Sequence, residues 1–305
     1  MKCSPALLFA GPLRRSLLAV VLLLVLTAAG AEVRITDDAG RMVVLKEPAR
    51  RIISLTPHIT ELVFAAGAGE RLVGAVDYSD FPAQARAIPR VGDSAQLDLE
   101  RIVALKPDLI LVWQHGNGER QLDRLLHLGI PAFYNEPRHM GDIARSIEQI
   151  GTLAGTSPTA ASAAQAFRLR EAELARRYSG RPPVRTFYQL WERPLMTVNG
   201  EHLISDVMRL CGARNVFAEL KPLIPRISTE AVLAADPEFI FGATAEMNAR
   251  DDLDNWKTWK RLTAVARDNL TVIHTDLLNR PTPRILEGTA QLCEALERAR
   301  TRRPR

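Results

Sequence analysis

Residues 157–178 read SPTAASAAQAFRLREAELARRY, and the reading of this stretch decides the architecture of the chain. Ala, Glu, Arg and Leu dominate it, all strong helix formers, and no glycine interrupts it before Gly180. Ser157 suits an N-cap and Pro158 the first helical position, while Ser179-Gly180 and Pro182-Pro183 end the run. Roughly 21 residues at about 1.5 Å each reach about 30 Å, the width of a small domain. The surface is polar or alanine outside a thin apolar stripe, as expected of a helix that bridges two bodies. A flexible linker would be rich in Gly and Ser instead.

On both sides of this rod, strands and helices alternate. Upstream, 51–55, 71–76, 109–113 and 132–135 read as strands, with helices over 59–66, 99–105 and 119–128. Downstream, 184–190, 239–242 and 271–274 read as strands, with helices over 204–210 and 283–300. Alternation of this kind implies parallel sheets with helices on their faces. The halves also echo each other. ERIVALKPDLI (100–110) and EAVLAADPEFI (230–240) share Glu, Pro, an acid and Ile in register, and RIISLTP from Arg51 and RTFYQLW from Arg185 begin their halves at a similar offset. The expected fold is therefore α/β, two similar parallel-sheet lobes joined by one long rigid helix. Its parts are a leader at 1–31, an N-terminal lobe at 32–155, the bridging helix at 156–180 and a C-terminal lobe at 181–305.

The leader reads as a cleavable secretory signal. Lys2, Arg14 and Arg15 make a basic start, 17–27 is an unbroken apolar run, and Ala29-Gly30-Ala31 is an A-x-A cleavage site. The run is too short for a spanning helix, and no cysteine follows it to carry a lipid. A soluble periplasmic protein is expected. Losing three basic residues takes the formal charge from +5 to +2, which with no dense basic run argues against nucleic acid. Cleavage also removes Cys3 and leaves Cys211 and Cys293. In an oxidising compartment an even count favours a disulfide, worth about 4 kcal/mol for a loop of about 80 residues; two buried thiols are the alternative.

Ligands of open α/β sheets collect beyond the carboxyl ends of the strands. That rule gathers Pro57-His58, Asp77-Tyr78 and 113–117 from the first lobe, and Trp191-Glu192-Arg193 and 276–280 from the second. Tyr78, Trp113 and Trp191 would rim an interlobe cleft suited to a large, flat, partly apolar ligand, although a core position is an equal reading for Trp191. Gly116, Asn117 and Gly118 turn the backbone beside Trp113 away from core packing.

DYSDFPAQA (77–85), LERIVALKPDLILVW with GNGERQ (99–121), CGARNVF (211–217) and TDLLNRPTPR (275–284) resemble the periplasmic cobalamin-binding proteins of ABC importers. More loosely they resemble the wider group that carries siderophores and haem. The likeness covers nearly the whole mature chain, and the block around Trp113, Gly116 and Asn117 is its most specific part. It implies a monomer with little hinge motion and a corrin held between the lobes. Tyr78 and Trp113 would pack on the ligand, and Asp276 and Arg280 would line the opposite lobe. Glu100 and Glu230, one per lobe, would dock on arginines of an inner-membrane permease that has its own ATPase. Cys211 and Cys293 would pair. The two glutamates also stand behind Asp98 and Ser228 in first helical turns, where capping and the helix dipole alone could explain them. Their matching positions favour a two-fold partner.

Two tryptophans of the cobalamin pattern are missing, near Ser94 and near Ile224. A ferric siderophore or haem is therefore the alternative ligand, with Arg193, Arg226, Arg280 and Arg284 as candidate anion partners. An enzyme is not expected: there is no G-x-S-x-G, Walker loop or H-E-x-x-H, and GAGERLVG (67–74) follows a helix and lacks the third glycine of a dinucleotide loop. A bare-metal receptor is disfavoured because His58, His115, His139, His202 and His274 stand singly. His115 could at most offer an axial imidazole to cobalt or iron. No resident cofactor or metal is expected.

Overall fold

The computed structural model describes residues 32–93, 96–114, 116, 119–245 and 251–304. The expected leader, Ser94, His115 and Asn117 lie outside the described residues. The described part begins with an antiparallel hairpin of β1 (Val33–Thr36) and β2 (Met42–Leu45).

The first sheet contains β3 (Ile52–Ser54), β4 (Leu72–Ala75), β5 (Leu109–Trp113) and β6 (Ala132–Asn135) in the order β4-β3-β5-β6, all parallel. The second contains β7 (Val184–Gln189), β8 (Ala213–Asn215), β9 (Phe239–Thr244) and β10 (Leu270–His274) in the order β10-β9-β7-β8, again all parallel. Both are the same arrangement, second–first–third–fourth strand of the lobe. Around the first sheet lie α1 (Pro57–Ala65), α2 (Leu99–Ala104), α3 (Glu119–His127) and α4 (Met140–Ala154). The bridging helix α5 is Ser157–Tyr178. The second lobe adds α6 (Leu203–Leu210), α7 (Thr229–Ala235), α8 (Thr263–Ala266), α9 (Thr275–Leu278) and α10 (Ile285–Thr301).

The sequence echo has a structural cause. α2 and α7 both end on a left-handed residue, Lys106 (φ +47°) and Asp236 (φ +38°), immediately before Pro107 and Pro237. The acid after each proline then pins the start of its lobe's first strand. Asp108 accepts from the backbone N–H of Arg50 and Arg51, and Glu238 accepts from that of Arg185. In return the arginines satisfy carbonyls at the helix ends: Arg51 donates to Leu105 and Lys106, and Arg185 to Ala235. Each motif thus joins a helix end to a strand start in its own lobe.

The central strands are buried on both faces, which is why they read as apolar runs rather than alternations. α5 starts on Thr156 rather than Ser157 as its N-cap, and the Thr156 hydroxyl donates to the Ala66 carbonyl at 2.7 Å. Ala160, Ala164, Phe167, Leu174 and Tyr178 form its buried stripe, within an apolar cluster that continues from Ile52 in one lobe to Ala299 in the other. Gly151 of α4 lets α5 approach closely, because a Cβ there would lie 2.2 Å from the Ala160 methyl. Among the described residues no helix is long and apolar enough to cross a membrane.

Candidate functional site

The reversal of strand order falls between β3 and β5 in one lobe and between β7 and β9 in the other. Their carboxyl ends carry the predicted rim. β5 ends at Trp113, which is 36% exposed; Trp191, just beyond β7, is 62% exposed, and Tyr78, after β4, is 77% exposed. Trp191 is therefore not a core residue. It stays outside because its indole N–H donates to the Arg193 carbonyl and its backbone pairs with Met196, whose other partner is Arg226. The neighbouring turn exposes Leu220, Leu223 and Ile224, so aliphatic side chains line this side of the rim.

Tyr78 is held in the left-handed region at φ +63°, a conformation costly for an aromatic residue. The next residue explains the constraint. Ser79 is buried, its hydroxyl accepts from Thr60 at 3.0 Å, and its carbonyl accepts from Arg90 at 2.8 Å. With Ser79 fixed inward, Tyr78 turns out into solvent. Trp113 is fixed by two neighbours. Its ring lies so close to Gly116 that a Cβ there would sit 1.7 Å from it, and the buried His58 ring meets it edge-on at 5.2 Å and 88°. Burial, reinforced by the positive charge of Arg280, pushes the His58 imidazole down to about 3, so it is neutral at ordinary pH.

The predicted residues of the second lobe form the floor. Arg280 bonds Asp276 at 3.0 Å on its own side. It also crosses to the first lobe, reaching Glu61 at 3.0 Å, Asp80 at 3.4 Å and the Tyr78 carbonyl at 3.5 Å. Arg284 reaches Glu61 at 3.3 Å and stacks its guanidinium over Phe81 at 4.1 Å. Arg284 thus faces the other lobe, and Arg280 is a shared counter-ion rather than a free cation. Glu61 was missed by sequence reasoning; its only signal was a lone carboxylate inside the apolar stretch 59–66. Burial pushes its carboxyl up, against the pull of both arginines.

Glu100 and Glu230 occupy the first turns of α2 and α7, exposed, behind Asp98 and Ser228, which accept from Arg101 N–H and Ala231 N–H. These helices precede β5 and β9, the third strand of each lobe, so the two glutamates are topologically equivalent. Cys211 at the end of α6 and Cys293 in α10 are joined in a buried disulfide, S–S 2.04 Å. Among the described residues no group of three or more His, Cys, Asp or Glu could hold a metal ion.

Two repeated lobes on a shared helix, facing each other across an aromatic rim and a charged floor, define the two-lobed, helix-bridged class of solute receptor. The periplasmic binding protein family profile matches residues 52–277, and the chain belongs to that family. It is 39% identical over 251 residues to the vitamin B12-binding protein of Vibrio cholerae, covering 82% of this chain and 90% of that protein. The crystal structure of the periplasmic vitamin B12 binding protein of the same species superposes with a TM-score of 0.75 at 38% identity, covering 83% of this chain and 98% of that one. A periplasmic heme-binding protein from Roseiflexus shares the fold at a TM-score of 0.70 and 21% identity, covering 82% of this chain and 99% of that one.

Proposed function

We propose that the protein captures cobalamin in its interlobe cleft and delivers it, in the periplasm, to an inner-membrane ABC importer without chemical change. The observation that carries this reading is the trio of exposed aromatic rings, Tyr78, Trp113 and Trp191, on strand-end loops of two facing lobes. Large flat ligands are held by ring contact and desolvation, with a few polar groups to set orientation. Asp276 and Arg280 supply the polar side, and Gly116 and Asn117, which follow Trp113 and His115 in sequence, complete the proposed first-lobe set. The similarity at 39% identity to a vitamin B12-binding protein favours a corrin over the ferric-siderophore or haem alternative. Glu100 and Glu230 are the proposed contacts with the permease.

The site is tested by substituting its anchor. Trp113→Ala is expected to weaken cyanocobalamin binding at least about 10-fold, the usual cost of removing a central aromatic contact, and to leave the thermal midpoint nearly unchanged because the ring is partly exposed. Unchanged affinity would remove Trp113 from the site.

A further inference from the structure

Among the described residues, polar side chains tie the lobes together at two places, and the two ties are copies of each other. The first is Glu61 of α1, which accepts from Arg280 and from Arg284, the residue that caps the start of α10. The second is Asp206 of α6. It meets His139 Nδ1 at 2.9 Å and the Met140 backbone N–H at 3.3 Å, at the start of α4, and also pairs with Arg209 on its own helix. α1 and α6 each follow the first strand of their lobe, and α4 and α10 are each the long helix beyond the fourth strand. In each tie an acid on the first helix of one lobe holds a basic residue at the amino end of the last helix of the other. The repeat is visible in the numbering, since positions 61 and 206 and positions 139 and 284 have the same separation.

The ties also lie at opposite edges of the sheets. β4 and β6 are the two edges of the first sheet, and β8 and β10 those of the second. The Glu61 tie involves Asp80 and the Tyr78 carbonyl, after β4, and Arg280, after β10. The Asp206 tie joins the segment after β6 to the helix that leads toward β8. Rotation of the lobes about either edge therefore stretches the tie at the other. The burial of the two acids, with Glu61 at 2% side-chain exposure and Asp206 at 17%, makes such a break costly.

The geometry points to Glu61 and Asp206 as crossed positioning residues. Together with α5 they fix the spread of the lobes, hold Arg280 against the cleft, and are the contacts a partner must break to release the ligand. They touch no ligand atom themselves. The release role rests on the transport reading above; the fixed spread does not.

The test reads the spread directly. Spin labels are placed in the mature protein, its native disulfide formed, at Val103→Cys of α2 and Ala234→Cys of α7, and the interlobe distance is measured by pulsed EPR without ligand. One narrow distribution is expected for the parent. Glu61→Gln combined with Asp206→Asn is expected to broaden it and lengthen its mean. A distribution identical to the parent's would overturn the inference. Should the buried Glu61→Gln change prevent folding, Asp206→Asn alone, in a more exposed tie, is expected to broaden the distribution. Exchange of that pair, His139→Asp with Asp206→His, is expected to narrow it again. Broadening that the exchange leaves in place would mark general loosening and refute a specific tie. Because no ligand is present, failure here is distinguishable from failure of the cobalamin reading.

Discussion

At the scale of single residues, the site is built from side chains denied their ordinary environment. Tyr78 accepts a left-handed backbone, Trp113 rests on a glycine, and His58 is buried where it cannot hold a proton. His202 behaves like His58: burial lowers it to about 4, and its Nδ1 accepts from the Ile204 N–H, a bond that only the neutral ring can make. Both folded-state values lie below the unfolded value of 6.5. The unfolded chain therefore takes up protons that the folded chain excludes, and stability is present above pH 6.5 and lost as pH falls towards 4 and 3. For His58 alone the loss from pH 6.5 to 5 is roughly 2 kcal/mol. Urea unfolding should show that loss, and His58→Gln should reduce it by that amount; an equal pH slope in the variant would refute the assignment. Trp113 was legible as a rim residue because Gly116 and Gly118 follow it at a strand end, whereas Trp191 was open to a core reading until its 62% exposure decided it. Glu61 was not, because a single acid on an apolar helix gives no sign of the arginines, more than 200 positions away, that neutralise it.

At the scale of elements, legibility followed signal strength. The rod at Ser157–Tyr178 was readable to its ends because helix formers run uninterrupted between strong stop signals. α4 was passed over: it begins after His139, where the usual N-cap types are absent, and Asp142 completes the start by accepting from the His139 N–H. β8 is three residues long and leaves no periodicity to read. The sequence left open whether Cys211 and Cys293 pair; the fold resolves this by packing the end of α6 against α10. This link stabilises two elements far apart in the chain, at a sequence separation of 82. Cys211→Ser with Cys293→Ser is expected to cost about 4 kcal/mol in the chain-entropy account, read as a lower urea midpoint with a steeper dependence on denaturant, because the unlinked unfolded chain is more expanded. An unchanged midpoint would mean that the bond is structurally idle.

At the scale of the whole molecule, repetition is the organising fact. The same strand order, the same helix-to-strand pins and the same interlobe ties occur in both lobes, and Glu100 and Glu230 sit at equivalent places on their surfaces. With the docking role proposed for the two glutamates, that equivalence would separate capture from delivery. Replacing both glutamates with alanine is expected to leave cobalamin affinity unchanged while stimulation of the transporter ATPase in proteoliposomes falls at least about 10-fold, since charge pairs across an interface set register and encounter rate. Weakened ligand binding in that double variant would place the glutamates in the cleft instead. The central claim, that the cleft is built for a corrin, is tested most directly by calorimetric titration of the mature protein from Glu32. Cyanocobalamin, hemin and a ferric siderophore would be compared under one condition. Tight one-to-one binding of cyanocobalamin, with weak or absent heats for the two iron compounds, is the predicted result. Tight binding of either iron compound with no cobalamin heat would contradict it, and would make the aliphatic turn at Leu223 and Ile224 the feature that redirects the cleft to another ligand.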